Sequence, residues 1–186
     1  MDKRISQIKR LIKEECFKPE NNTGWFYNTH LLAIEKNTKF LLASVPNADK
    51  EIVMLGMWLH DLQHVKKMKG DHEQIGASEA EKILKRFNYS PEEIKKVKEI
   101  ISTHSCNKKQ PKSVEAKILA TADAMAHYYN DFYLAICALG DRDAKTYKKW
   151  ALEKLKRDYS KKIFFSFAKE TVKERHDILC KLFSMN

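Results

Sequence analysis

Apolar residues recur at three- and four-residue steps along most of this chain, the spacing of amphipathic helices. Ile5, Ile8, Leu11, Ile12 and Cys16 predict a first helix that ends before Pro19, and PENNTG, residues 19 to 24, reads as a loop. A second helix is expected from about Trp25 to Ser44, with Phe26, His30, Ala33, Ile34 and Leu41 on one buried face. VPNAD, residues 45 to 49, breaks the pattern. There Asn47 or Asp49 can cap a third helix whose stripe is Val53, Gly56, Met57 and His60, with Gly70 as its stop. Asp71 is the expected cap of a helix running through Ile75, Glu79, Ile83, Leu84 and Phe87. Ser90, Pro91 and Glu93 form a capping box that opens the next, which carries Val97, Ile100, Ile101 and His104. After a polar loop, residues 105 to 112, a helix from about Ser113 presents Ala116, Leu119, Ala120 and Asp123 on one face. Beyond the aromatic stretch at 128 to 133 and a turn at Leu139-Gly140-Asp141, two more helices are expected, roughly 142 to 158 and 159 to 184. Their stripes are Trp150, Leu152 and Leu155, then Ile163, Phe164, Phe167, Val172, Ile178, Leu179 and Leu182. The pattern predicts an all-α fold of about seven to nine helices.

At 186 residues the chain is long enough for one sizeable core, so a single domain spanning 1 to 186 is expected. Five Gly and four Pro are few for a fold built from tight turns between strands, which agrees with the helical reading. The N-terminal stretch mixes charged and apolar residues without a signal-peptide core, and no run approaches the length of a membrane span, so a cytoplasmic protein is expected. Cys16, Cys106, Cys137 and Cys180 have no close partner in sequence, which excludes a zinc knuckle and a CxxC redox motif. The net charge of +10 comes almost wholly from Lys spread along every predicted helix. That distribution suits a solvated surface, or a positive field that draws in an anionic ligand.

The candidate chemistry lies where His and Asp interrupt apolar stripes. His60 and Asp61 close the apolar run Ile52 to Leu62. Chance alone gives about 0.4 adjacent His-Asp pairs at this composition, and a second pair, His176-Asp177, sits among Lys173, Glu174, Arg175 and Lys181 like an ordinary solvated face. Neighbouring helical residues diverge by about 100°, so His60 and Asp61 reach one ion most easily at a helix end. His64, one turn beyond His60, faces either the same site or solvent. His72 falls in the first turn of its helix, where free amides and the dipole favour an anion, and Gly76 and Ala77 leave room for close packing. Asp123 lies inside the apolar segment AKILATADAMA. A buried carboxylate there needs a metal ion or a buried His or Lys as partner.

Taken together, His30, His60-Asp61, His72 with Gly76-Ala77, His104 after two isoleucines, and Asp123 in KILATADAMA resemble the HD-domain superfamily of metal-dependent phosphohydrolases. The resemblance covers about residues 25 to 130, and RDYSKKIF at 157 to 164 is similar to the tail of small stand-alone members. It implies a metal-site core at about 25 to 130 with the helices of 131 to 186 packed on it. It also implies that His30, His60, Asp61 and Asp123 ligate one divalent ion. Imidazole with carboxylate and no thiolate suits Mn, Fe, Co, Ni or Zn. By the same resemblance His72 and His104 lie near the substrate or a second metal; chemically, Asp61 can orient the attacking water, His72, His104, Lys66 and Lys162 can neutralise phosphate charge, and His64 and Glu73 are further candidates to meet the substrate. Gln63-His64 follows the pair where the family often has Gly-Lys, and Glu73 is the candidate for the glutamate that assists some members. The implied activity is a phosphatase or phosphodiesterase acting on a small phosphorylated substrate, a nucleotide foremost. Two other functions compete with it. An HD-type di-iron oxygenase would use all six ligands, His30, His60, Asp61, His72, His104 and Asp123. A basic nucleic-acid-binding module with a vestigial site is disfavoured by the absence of a concentrated basic stripe.

Overall fold

The computed structural model describes residues 3–129 and 131–185. Helix α1 (Lys3–Cys16) is followed by α2 (Gly24–Phe26), which passes through a π-helical turn (Tyr27–Leu31) directly into α3 (Leu32–Ser44). Next come α4 (Lys50–Leu59), the single turn α5 (Leu62–Val65), α6 (His72–Arg86), α7 (Pro91–Ile101) and α8 (Val114–Ala126). Then α9 (Phe132–Leu139) leads to α10 (Ala144–Arg157), which is continued by a second π-helical turn (Asp158–Lys162) before α11 (Ser166–Ser184). Counting 24–44 and 144–162 as continuous helices, nine helices exceed one turn, and the described residues contain no strand. The fold is all-α, as the apolar periodicity predicts.

Two helices form the centre. Every residue of α4 from Ile52 to Leu59 is buried, and in α8 the same holds from Ile118 to Ala126, so both are enclosed around their whole circumference. Helix α4 packs against α1, α3, α7 and α8, while α8 packs chiefly on α3. Gly56 is what lets α7 close on α4: a Cβ there would stand 2.3 Å from Ile100 Cδ1. From the C-terminal part, Ala151, Leu155, Ile163, Ala168 and Val172 join the same buried cluster. No helix among the described residues is long and apolar enough to cross a membrane.

Helix starts follow the expected caps. Asp49, Asp71 and Ser113 each accept a backbone N–H of the first turn, and Ser90 with Glu93 forms the complete capping box. Ends follow sequence less closely. Helix α4 stops at Leu59 rather than continuing toward Gly70: His60 keeps helical torsions, and Asp61 leaves them with φ −103° and ψ 22°. The His-Asp pair is itself the helix end. Likewise α7 ends at Ile101, which puts His104 in the following turn, and the chain stays helical to Lys162 where a break near residue 158 is expected. Ala151 takes the inner position expected of Leu152, while Ile178 and Leu182 are 58% and 53% exposed. An apolar stripe marks a face, and whether another element covers that face is a tertiary fact.

Candidate metal centre

Backbone hydrogen bonds set the rings. His60 Nδ1 donates to the Met57 carbonyl at 2.8 Å, and His104 Nδ1 donates to the Ile101 carbonyl at 2.6 Å. Since a carbonyl only accepts, the proton of each neutral ring sits on Nδ1, and each Nε2 turns inward as an acceptor. His60 Nε2 lies 3.0 Å from Asp61 Oδ2, and His104 Nε2 lies 3.9 Å from Asp61 Oδ1. From the π-helical turn, His30 Nε2 reaches both carboxylates, at 3.5 Å from Asp61 Oδ2 and 3.2 Å from Asp123 Oδ1. All five side chains are buried. Four separate stretches of chain, the turn before α3, the end of α4, the turn after α7 and the end of α8, thus deliver them to one point.

The charges there are held against burial. Desolvation alone would raise the Asp61 carboxyl, but His60 beside it, together with His30, keeps it well below the usual carboxylate range. Burial opposes ionisation of Asp123 as well, and the Lys162 ammonium beside it, with His30 and His127, keeps it well below that range too. Burial pushes His104 down to about 3, and it also lowers His72.

This donor set fits a cation. His60 Nε2 and His30 Nδ1 are buried without an aligned hydrogen-bond partner among the described residues, the first despite its closeness to Asp61. In the neutral-ring form, the inward atoms of His60, His104, Asp61 and Asp123 are all acceptors. Buried acceptors gathered at one point repel one another, and since the Lys162 ammonium meets only Asp123 Oδ2, a cation among the rest would relieve them. Two triads of donor atoms, His30–His60–Asp61 and His30–Asp123–His127, each lie within 4.8 Å and share His30. A third, His72–Glu73–His104, lies alongside.

The remaining expected site residues divide. His64 is at the exposed edge, with its ring 5.4 Å from that of His72 and 6.4 Å from that of Phe26. His72 in turn lies 5.3 Å from the His104 ring. Glu73 is buried behind them, bonded by the Ser105 hydroxyl. Lys162 lines the cleft and pairs with Asp123, so the buried-Lys partner expected for that carboxylate is present. Lys66 points elsewhere: its ammonium meets Glu79 at 2.6 Å, and Lys67, in a left-handed conformation with φ 49°, lines the cleft instead. The second pair, His176-Asp177, does not line the cleft: Asp177 is bonded to Lys173 and His176 is stacked on Tyr159.

The cleft has a volume of about 1190 Å³ and opens over His30, Asp61, His104 and Asp123. Trp25, Phe26, Phe132 and Trp150 supply aromatic wall, and Lys67 and Arg157 supply positive charge. The family model for the HD domain matches residues 27–127, more than half of the chain. This chain belongs to the HD-domain family. No curated protein and no solved structure matches it significantly. The matched segment opens in the π-helical turn that carries His30 and closes at His127, one turn past Asp123.

Three residues of this HD domain's centre escape sequence reasoning: His127, Asp158 and Lys154. His127 Nδ1 donates to Asp158 Oδ2 at 2.9 Å, and Lys154 Nζ meets the same oxygen at 2.9 Å. The Asp123-x-x-x-His127 spacing, which stacks two polar side chains on one helix face, was the available signal. Asp158 lay within the RDYSKKIF stretch already set apart by its resemblance.

Proposed function

We propose that this HD domain is a metal-dependent phosphohydrolase acting on a small phosphorylated substrate, a nucleotide foremost. The observation that carries the reading is the convergence of His30, His60, Asp61 and Asp123 on one point beneath an open cleft. Those four would hold a divalent transition metal, which when bound supplies Lewis-acid polarisation of a phosphoryl oxygen and acidifies a water. The protein's own groups supply the rest. Asp61, kept ionised, accepts a hydrogen bond from the attacking water and directs it. His104 presents an acceptor, so it positions water rather than phosphate. His72, at the first position of α6, stands at the positive end of the helix dipole, which favours phosphate oxygens, while the Glu73 and Gln74 amides of that turn are taken by Asp71. Lys67 and Arg157 neutralise charge at the cleft edge, and the aromatic walls suit a flat base.

Phosphate release from an aryl phosphate and from a nucleotide panel, after chelation and reloading with each divalent metal, tests this reading. Hydrolysis should require metal, and Asp61→Asn should lower it by more than the roughly hundredfold cost of losing an outer hydrogen-bond partner. Absence of hydrolysis with every metal and every substrate would count against it. The His72–Glu73–His104 group beside Asp61 favours a second reading, a two-ion centre of the oxygen-activating kind. Two irons per chain together with oxygen consumption would select it.

A further inference from the structure

We propose that His127 is a fifth protein ligand of the cation centre, held in its ligating form by Asp158; this rests on the metal-dependent reading above. Asp123 and His127 stand one turn apart at the end of α8, the separation at which a single helix offers two donors to one ion. Asp158 is fully buried, and its Oδ2 takes both the His127 Nδ1 hydrogen at 2.9 Å and the Lys154 ammonium at 2.9 Å. Anchored from two sides, it fixes the imidazole proton on Nδ1, as the outer carboxylate of a ligating histidine does. His127 Nε2 is then left as an acceptor, 3.7 Å from Asp123 Oδ1.

An imidazole kept only for packing would turn that nitrogen toward a donor. Here it faces a carboxylate oxygen, and with His30 the donor atoms lie within 4.8 Å of one another. Lys162 occupies the other oxygen of Asp123, Oδ2, so the oxygen facing His127 is the one left for a cation. The Phe132 ring, 4.2 Å from that of His127, limits its movement.

The test compares Co(II) binding by the wild-type protein, His60→Ala, His127→Asn and Asp158→Asn, using chelator competition and the visible spectrum of the bound ion. Asparagine at 127 keeps an N–H for Asp158 but places nothing at the Nε2 position. His127→Asn should weaken Co(II) by at least about tenfold and alter its absorption bands, and Asp158→Asn should weaken it by roughly tenfold. Nitrogen-15 spectra of the histidines give the same answer in the unmutated chain. On Zn(II) loading the Nε2 resonance of His127 should move with those of His30 and His60, while that of His176 stays. An unmoved His127 resonance, or wild-type affinity and spectrum in His127→Asn, overturns the proposal. Should the wild-type protein bind no divalent metal, or His60→Ala bind it as tightly as wild type, the metal-dependent reading fails first and this inference with it.

Discussion

At the scale of single residues, the centre is a set of titratable groups held away from their solution behaviour, and this gives the metal-free protein a pH dependence. His104 is pushed down to about 3 and His127 to about 4, in each case first by burial. The unfolded chain therefore takes up these two protons at higher pH than the folded one does. Both groups contribute stability that is fully present above the unfolded histidine value of about 6.5 and is lost as pH falls toward their folded values. His60 works in the opposite sense. Burial lowers its pKa, but Asp61 overcomes this and raises it, so its contribution is present in acid and fades as pH rises through the folded value. In the metal-free protein, His104→Gln should flatten the decline between pH 6.5 and 4 by up to about 1.4 kcal/mol per pH unit, read from urea midpoints. An unchanged slope would show that His104 is not a source of it. The residues that sequence made legible here were those interrupting an apolar stripe: His30, His60, His104 and Asp123. Lys154 was hidden by its ordinary composition, since a lysine at an amphipathic boundary reads as solvated until its partner, Asp158, is located.

Among elements, the close crossing of α6 on the end of α4 ties the fold to the centre. A Cβ at Gly76 would stand 2.6 Å from the His60 carbonyl oxygen, a backbone atom of the metal-site histidine itself. At Gly56 the obstacle is instead the flexible tip of Ile100. Gly76→Ala should therefore lower both the melting temperature and the divalent-metal affinity. Gly56→Ala, where a side chain can rearrange, should lower melting more than affinity. Calorimetry with chelator competition separates the two, and equal affinity loss in both variants would sink the argument. Helix starts were legible because a cap is chemistry within three residues, as at Asp49, Ser90 and Ser113. The end of α4 was not. Its apolar run continues through Leu62, and the chain leaves the helix at Asp61, where the carboxylate is engaged by His30 and His60 from other parts of the fold and from the helix end itself.

For the molecule as a whole, the excess of Lys was legible from sequence while its consequence was not. Much of the acidic complement is engaged in ion pairs, as in Lys85–Glu81 and Lys39–Glu35, and Lys18, Lys67 and Arg157 line a cleft that holds two buried carboxylates. Under the phosphohydrolase reading, Arg157 at that edge serves encounter and ground-state binding alike. Arg157→Gln should raise KM several-fold with kcat preserved, and raising ionic strength should shrink the difference. A fall in kcat at unchanged KM would assign it a different task. The assembly of the centre also depends on two short segments whose helical winding is wider by one residue, Tyr27–Leu31 with His30, and Asp158–Lys162 with the carboxylate that bonds His127 and the ammonium that pairs with Asp123. Such turns hold one residue more than the α-helical repeat requires. The centre is thus specified by a residue count as much as by residue identity: removing one position from either segment would rotate everything on one side by about 100° against the other. Wall residues can vary in kind, whereas the lengths between Tyr27 and Leu31 and between Asp158 and Lys162 are fixed by the site they aim at.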